Sequence, residues 1–371
     1  MRHFPLFQRQ YSHYMHILCL TLLLVTIGIF MVYSASYVWA NYMYGDPFYF
    51  VKRQIFFLML GFIGLLFVSK IHYQYWRQHV YVLFIVSFIL LFIVLVPGIG
   101  MVRGGARSWI GVGIFSIQPA EFIKLALIIL LAHYYAIRKK QRHLSFKHFL
   151  QPLIIVLLIF MIIMLQPDFG TGLVIVLTSL CVMFITGLRL TYYVIFSIFG
   201  MVGLIGLIIS APYRLKRITS FLNPWEDPLG DGFQIIQSLY AIGPGQLVGV
   251  GYLKSVQKYF YLPEPQTDFI FAIIAEEFGL IGATVVIVLF FLLFREGMIV
   301  ALKTRDDFAR YVVLGIMAMV ATQVMINICV VIGLLPVTGI TLPFLSYGGS
   351  SLMMTLISIG IVLNISYNIS Y

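Results

Sequence analysis

About ten long apolar runs, separated by short polar or charged stretches, dominate the chain of 371 residues. The runs lack the alternation of a half-buried strand, and they are about 17 to 25 residues long, which is the length that lets a helix cross a bilayer. We therefore predict an all-α polytopic membrane protein with about ten transmembrane helices. The predicted spans cover roughly residues 14–36, 54–69, 79–97, 119–137, 149–165, 171–187, 191–211, 268–294, 309–335 and 344–366.

Composition supports this class and excludes others. Hydrophobic residues make up 61% of the chain, charged residues 10%, and the mean hydropathy is +1.00, whereas a water-soluble globule needs far more polar surface. Helix-length runs without alternation also argue against an outer-membrane barrel. The first run, roughly His16 to Tyr33, is too long for the core of a cleaved signal peptide, so we interpret it as the first span. Cys19, Cys181 and Cys329 lie in separate runs, which argues against a disulfide framework or a CxxC metal pair.

Positive charge distinguishes the two sides of the membrane. Arginine and lysine concentrate in alternate short loops, most densely between residues 138 and 147, and the positive-inside rule places these loops and both termini in the cytoplasm. Of the thirteen acidic residues, only Glu296, Asp306 and Asp307 map to that side. The net charge of +11 is dispersed between spans with no soluble basic domain, so lipid head groups and pyrophosphates are the expected anions, and nucleic acid is not.

One membrane domain over residues 1–371 accounts for the chain, with a long outer loop at about 212–267 between spans seven and eight. A loop of more than 50 residues is too long to be only a connector, so we expect it to be functional. Its amphipathic stretch from Phe233 to Ala241 predicts a short interfacial helix. The glycine-rich run from Gly243 to Gly251 lacks the strand and the Gly-Lys-Ser/Thr ending of a phosphate-binding loop.

Asp268 lies where this loop enters span eight, in the stretch PEPQTDF that begins at Pro263. The prolines keep the entry extended, and the apolar run begins at Phe269, so Asp268 is predicted at the boundary between water and membrane. Two interpretations are open. Asp268 is either a capping residue favoured by the helix dipole or a general base that faces an outer cavity.

A second polar cluster precedes and begins span four. Arg103 lies in the stretch MVRGGARSW, and Glu121 and Lys124 share one helix face because they are three residues apart. Ionisable groups inside a span normally point into the protein and pair with each other or with a ligand. A structural ion pair and a pair in a binding site are both open.

Two further polar turns map to the same outer face. Asp168 lies in QPDFGTG between spans five and six, where it is either a helix cap or part of a site. Ser346 and Ser350 lie in LPFLSYGGSS, where the glycines and serines allow either close helix packing or the approach of a ligand. Gln323 and Asn327 in span nine are most simply interhelical hydrogen-bond partners. All histidines map to the cytoplasmic side, so a base on the outer face must be a carboxylate, and a histidine-bound metal is not expected there.

The stretches that hold these residues resemble the SEDS family (shape, elongation, division and sporulation), which includes FtsW, RodA and SpoVE. The matching stretches are GMVRGGARSWIGVGIFSIQPAEFIKLA, QPDFGTG, ITSFLNPWEDPLGDGFQIIQSLYAIGPG, YLPEPQTDFIFAIIAEE and LLPVTGITLPFLSYGGSS. The likeness covers essentially the whole chain and is closest to the FtsW branch. It implies an inverting peptidoglycan glycosyltransferase that polymerises lipid II at the outer face of the bacterial cytoplasmic membrane, in division, shape maintenance or sporulation.

The resemblance also implies roles for single residues. Asp268 matches the family's essential Asp after the long outer loop and is the implied catalytic base. The implied substrate contacts are Glu121, Lys124, Asp168, Ser346 and Ser350. We add Arg103, which together with Lys124 would neutralise the leaving pyrophosphate. A divalent cation such as Mg or Mn, held by outer carboxylates, is the alternative for that role, and no other cofactor is expected.

The family likeness implies partners as well. Members work beside a class B penicillin-binding transpeptidase, so this partner is expected, together with other divisome, elongasome or sporulation proteins and membrane lipids. Two other functions stay open, a lipid II flippase and a non-catalytic scaffold of a cell-wall synthase. A flippase needs a polar route near the midplane, whereas the ionisable groups here gather at the outer ends of the spans, which favours an enzyme.

Overall fold

The computed structural model describes residues 4–103, 105–112, 115–139, 145–209, 221–230 and 232–369, and these residues are mostly helical. The described α-helices are α1 (Phe4–Tyr44), α2 (Tyr49–Lys70), α3 (Tyr73–Gln78), α4 (Val80–Ile93), α5 (Pro119–Arg138), α6 (Phe146–Met164), α7 (Phe169–Ile185), α8 (Leu190–Ile209), α9 (Phe233–Gly245), α10 (Ile270–Lys303), α11 (Asp307–Val331) and α12 (Gly349–Tyr367). The shortest of them, α3, has six residues. The chain is therefore a mostly helical polytopic membrane protein.

Helices coincide with all ten predicted spans. Seven of the described helices are long and apolar enough to cross a membrane, namely α1, α2, α5, α6, α10, α11 and α12, and three shorter apolar helices lie in α4, α7 and α8. The predicted short helix in the outer loop is also present as α9. The predicted start of the loop, residues 212–220, lies outside the described residues.

The prediction of an all-α chain is wrong in one place, because the loop between α4 and α5 folds into a small antiparallel sheet. Its strands β1 (Gly100–Arg103), β2 (Ala106–Val112) and β3 (Phe115–Ile117) pair in the order β1-β2-β3. Arg103 faces Ala106 across the first hairpin, and Gly105 in the turn has a φ of 83°, which glycine adopts readily. Strands of three to seven residues are too short to stand out in a hydropathy pattern built on membrane spans.

The most buried spans, α5, α11 and α12, form the centre of the bundle. Close packing brings α12 against α2, since a Cβ on Gly360 would lie 2.7 Å from the Leu65 carbonyl oxygen. At one end of the bundle, the loops predicted to share the cytoplasmic side meet. Lys139 forms an ion pair with Asp307, and the Tyr73 N–H donates to Asn364 Oδ1 at 2.9 Å.

Helix α10 is broken at Gly279, where the backbone has φ 63° and ψ −160°. The loop segment 246–251 packs beside the break and supplies main-chain partners for residues on both sides of it. The bonds run from Val250 N to Glu276 O (2.9 Å), Gly251 N to Glu277 O (2.9 Å), Leu280 N to Gln246 O (2.9 Å) and Ile281 N to Leu247 O (3.1 Å). The glycine-rich run therefore satisfies the peptide groups that a broken helix leaves without partners.

Candidate active site

The predicted polar stretches gather at one end of the bundle. The start of α7 packs against the loop before α12 so closely that a Cβ on Gly170 would lie 2.2 Å from the Thr338 carbonyl oxygen. Gln118, directly before α5, donates from its main-chain N to Ser350 Oγ at 3.2 Å and from Nε2 to Asp168 Oδ2 at 2.8 Å. These contacts bring the QPDFGTG turn, the beginning of α5 and the SYGGSS turn together.

Asp268 stands in the last turn of the long loop, directly before α10. The residue at the N-cap position of α10 is Phe269, and no side chain caps this helix start. No described residue donates a hydrogen bond to the Asp268 carboxylate. The capping interpretation is therefore wrong for Asp268.

The surroundings of Asp268 disfavour its charged form. Its side chain is half-buried, and burial raises the pKa of Asp268 to about 7, with further increases from the negative charges of Glu264 and Asp168. A Cβ on Gly339 would lie 3.8 Å from Asp268 Oδ2, so the loop before α12 lies directly beside the carboxylate. A carboxylate with a pKa near neutral is suited to accept a proton at physiological pH.

The main chain around Asp268 is held at three consecutive carbonyl groups. The bonds run from Tyr347 N to Gln266 O (2.8 Å), from Ser346 Oγ to Thr267 O (2.6 Å) and from Asn327 Nδ2 to Asp268 O (2.7 Å). The donors come from helix α11 and from the turn before α12. The position of Asp268 is therefore set by two neighbouring elements as well as by its own loop.

Ser346 is a buried part of this arrangement. Besides donating to Thr267, its Oγ accepts a hydrogen bond from Leu342 N at 2.8 Å. Gln54 of α2 holds the same turn, because its Nε2 donates to Ser346 O at 3.0 Å and its Oε1 accepts from Gly348 N at 3.3 Å. The contact of Ser346 with a substrate stays a prediction, as does that of the fully buried Ser350.

Gln54 was not singled out by the sequence, although a signal was present. It lies near the start of an apolar run, in the stretch VKRQIFF, and polar side chains in a span commonly bridge helices. The sequence does not show that its partners lie more than 290 positions away.

Asp168 caps helix α7, as one of its two interpretations predicted. Its Oδ1 accepts from Thr171 N at 3.1 Å, and its Oδ2 accepts from Thr171 Oγ1 at 2.9 Å and from Gln118. The carboxylate thus joins the start of α7 to the start of α5. Its contact with a substrate stays a prediction.

Glu121 and Lys124 form the predicted ion pair, with 2.7 Å between Lys124 Nζ and Glu121 Oε1, and both side chains are buried. Lys124 also borders a small internal void against α7 and α11, lined among others by Thr178 and Met319. The roles of both residues in binding a substrate stay predictions. The side chain of Arg103 lies outside the described residues, and its backbone ends strand β1.

A cleft opens between α9 and two loop segments, one before Asp268 and one before α12. Phe233, Gln234 and Ile235 line it from α9, and Pro263 and Val337 line it from the opposite wall. The lining of this cleft therefore combines apolar groups with an amide, as in pockets that take an amphiphilic ligand.

Among the described residues, the carboxylates predicted on the outer side do not form a group of three with the spacing of metal ligands. The one described cluster with that spacing is His13, His16 and Glu296, at the other end of the bundle. There His13 Nδ1 lies 2.7 Å from Glu296 Oε2, and Lys303 Nζ lies 2.8 Å from His13 Nε2. Neighbouring cations of this kind disfavour a bound metal ion. A divalent cation at the Asp268 site stays a prediction.

Comparison with known proteins agrees with this arrangement. The family model for FtsW, RodA and SpoVE, described as "Cell cycle protein", matches residues 14–371. Stage V sporulation protein E of Bacillus subtilis (strain 168) is 55% identical over 349 residues, which are 94% of this chain and 95% of the relative. A protein of Trichlorobacter lovleyi described as "Probable peptidoglycan glycosyltransferase FtsW" is 43% identical over 352 residues, covering 94% and 92% of the two chains.

Solved structures show the same fold. The rod shape determining protein RodA of Thermus thermophilus is 28% identical, with a TM-score of 0.70 over 96% of this chain and 97% of RodA. A chain from a structure described as "Structural coordination of polymerization and crosslinking by a peptidoglycan synthase complex" is 30% identical, with a TM-score of 0.77 over 94% and 96% of the two chains. Sequence and fold thus agree over nearly the full length, and the chain belongs to the family of FtsW, RodA and SpoVE.

Proposed function

We propose that the protein is a peptidoglycan glycosyltransferase that polymerises lipid II at the outer face of the bacterial cytoplasmic membrane. Ten spans with both termini in the cytoplasm would orient it, since arginine and lysine concentrate in alternate loops. In that orientation Asp268, Asp168 and the start of α5 face outward. Family membership supports the proposal, as does the description of a relative as a probable peptidoglycan glycosyltransferase.

In the proposed reaction Asp268 acts as the general base. The carboxylate removes the proton from the C4 hydroxyl of the acceptor GlcNAc as that oxygen attacks C1 of the donor MurNAc. The bond from C1 to the pyrophosphate oxygen breaks with inversion, and polyprenyl pyrophosphate leaves with the electron pair. The donor carries its own leaving group, so the step needs no nucleotide sugar.

The observation that carries the proposal is the state of the Asp268 carboxylate. It is half-buried, and no described residue donates a hydrogen bond to it. By contrast, Asp168 and Asp306 each cap a helix. A carboxylate kept partly from water without a protein partner is unfavourable for folding, so a role in the reaction accounts for it best.

The leaving pyrophosphate needs positive charge. Lys124 and Arg103 remain the proposed cations, with a divalent ion as the alternative. Lys124 is buried and paired with Glu121, so direct contact with a phosphate would require this end of α5 to open. Glu121 would then keep the lysine charged and in place between turnovers.

We also propose a class B penicillin-binding transpeptidase as a partner. A similar structure is described as a peptidoglycan synthase complex that coordinates polymerisation with crosslinking. The fit to that structure covers 94% of this chain, which supports a partner of the same kind.

The test uses purified protein with its transpeptidase and labelled lipid II in detergent, where flipping has no meaning. Wild type should give glycan strands, and Asp268→Asn should give none. Asp46→Asn is the control, because Asp46 is another aspartate predicted on the outer side, held by Lys52 in an exposed ion pair at 2.7 Å. The control should polymerise like wild type. Polymer from well-folded Asp268→Asn protein would contradict the general base, and the absence of polymer from wild type would contradict the glycosyltransferase and favour a flippase or a scaffold.

A further inference from the structure

Asn327 of α11 connects two segments that flank the site. Its Nδ2 donates to the main-chain carbonyl of Asp268 and to that of Ile340, each at 2.7 Å. The side chain is buried, with 1% of its surface exposed. One amide group thus ties a residue just before α10 to the loop before α12, from near the C-terminal end of a helix that packs in the centre of the bundle.

We propose that Asn327 is a positioning residue that holds the Asp268 carboxylate in its place for proton transfer, an inference that rests on the proposed function. The Asp268 carboxylate has no hydrogen-bond donor among the described residues, so its own side-chain contacts do not fix it. Its place therefore depends on where the main chain holds its Cα. Asn327 is the donor bonded to the carbonyl of that same residue.

The other end of the Asn327 amide supports a donor role. Its Oδ1 is buried and has no hydrogen-bond partner among the described residues. An amide that served only to join two helices would be expected to use its acceptor as well, since a buried unpaired oxygen costs free energy. What the site takes from Asn327 is its two N–H donors, one for the carbonyl of Asp268 and one for the carbonyl of Ile340.

The two remaining anchors of the Asp268 loop come from a single turn. Ser346 and Tyr347 hold residues 266 and 267. Asn327 adds a third attachment from a different element, helix α11. Through its bond to Ile340 it also fixes the distance between the Asp268 loop and that turn. Without the Asn327 side chain, Asp268 would stay in the same part of the fold but would be freer to move toward water.

This predicts two kinetic effects from one change. Displacement of the base lowers the maximum rate, because proton transfer needs close contact with the acceptor hydroxyl. Movement toward water also lowers the pKa of Asp268, because burial is the main cause of its increase. The acid limb of the rate profile should then shift to lower pH, which a mere loss of folded protein would not cause.

The experiment compares Asn327→Leu with Gln323→Leu in the purified protein with labelled lipid II. Gln323 is a matched control, because it lies one turn earlier on α11, is buried to a similar extent and also has an unpartnered side-chain oxygen. At equal amounts of folded protein, Asn327→Leu should lower kcat by about 10- to 100-fold with little change in KM. The acid limb of its pH–rate profile should lie at lower pH than that of wild type. Gln323→Leu should keep the wild-type pH–rate profile and most of the wild-type rate.

Asn327→Asp keeps the inference testable if the leucine variant does not fold. Aspartate has the same shape but offers at most one donor to the two carbonyls, so its rate should lie between those of wild type and Asn327→Leu. The positioning role would be overturned if both Asn327 variants had the same rate and the same acid limb of the pH–rate profile as Gln323→Leu. That result is distinct from failure of the proposed function, in which wild type makes no polymer or Asp268→Asn still does.

Discussion

Lys258 Nζ lies 2.9 Å from Glu277 Oε1, and neither side chain has any exposed surface. Ser34 of α1 donates to the same carboxylate oxygen at 2.6 Å. The pair therefore joins the loop that leads to Asp268 with α10 and α1, in the interior of the protein. Charged groups taken out of water must be compensated by such partners, so the pair fixes how the loop lies on the two helices.

Replacement of Lys258 by methionine should strongly destabilise the protein. The change leaves the Glu277 carboxylate buried without its cation, a situation that costs about 3–5 kcal/mol. We expect a clear fall in the thermal unfolding temperature in detergent.

The double variant Lys258→Met with Glu277→Gln removes both charges and should recover much of this loss, since a neutral amide still accepts the Ser34 hydroxyl. A double variant as unstable as the single one would show that packing of Lys258, and not its charge, matters.

Much of the candidate site could be predicted from the sequence, because the signals lie in residues that are neighbours in the chain. Asp268 could be predicted because a polar, proline-rich stretch runs directly into an apolar span, and Asp168 because QPDFGTG has the form of a helix start. Helix spans are equally visible because lipid requires long apolar runs. Features of this kind depend on neighbours in the chain.

What the sequence did not reveal depends on distant neighbours. The sequence does not pair Lys258 with Glu277, or Gln54 with the turn at Ser346, because these contacts form only after helices far apart in the chain have packed. The same holds for Asp268, whose capping interpretation was excluded only by the absence of a capping bond at α10. The strands of residues 100–117 were missed because they are short and lie in a polar loop.

The rate of polymerisation should depend on the protonation of Asp268. Burial and the charges of Glu264 and Asp168 raise the pKa of Asp268 to about 7, and only the carboxylate form accepts a proton. The rate at saturating lipid II should therefore rise with pH through a midpoint near 7. Glu264→Gln should move that midpoint to lower pH, because it removes a negative charge that favours protonation. A profile that is flat between pH 5 and pH 8 would rule out Asp268 as the base.

The same pKa predicts an inverse effect on stability. An acid whose pKa is higher in the folded state than in the unfolded state binds more protons when folded, so stability falls as pH rises from about 4 to about 7. Asp268→Asn removes this penalty and should be at least as stable as wild type at pH 8. The advantage should shrink toward pH 5. Unfolding temperatures measured across this range test the sign, and an advantage that grows at low pH would contradict it.

Lys124 and Glu121 can be separated into structural and functional roles by a paired change. Lys124→Met alone leaves Glu121 buried and unpaired, so it should lower both stability and activity. Lys124→Met together with Glu121→Gln removes both charges and should restore most of the stability. If Lys124 neutralises the leaving pyrophosphate, polymerisation should stay low in the stable double variant. Recovery of activity along with stability would assign the pair to structure.

The break in α10 should depend on glycine at position 249 more than at position 243. Gly249 has a φ of 85°, and a Cβ there would lie 2.2 Å from the Glu277 carbonyl oxygen, whereas a Cβ on Gly243 would meet nothing within 4 Å. Gly249→Ala should therefore cost about 1–3 kcal/mol from backbone strain, with an added cost from displacing segment 246–251. Gly243→Ala, inside helix α9, should leave stability unchanged or raise it by about 0.5–1 kcal/mol. Thermal unfolding of the two purified variants in the same detergent measures the difference, and equal unfolding temperatures would show that the segment does not need its close approach to α10.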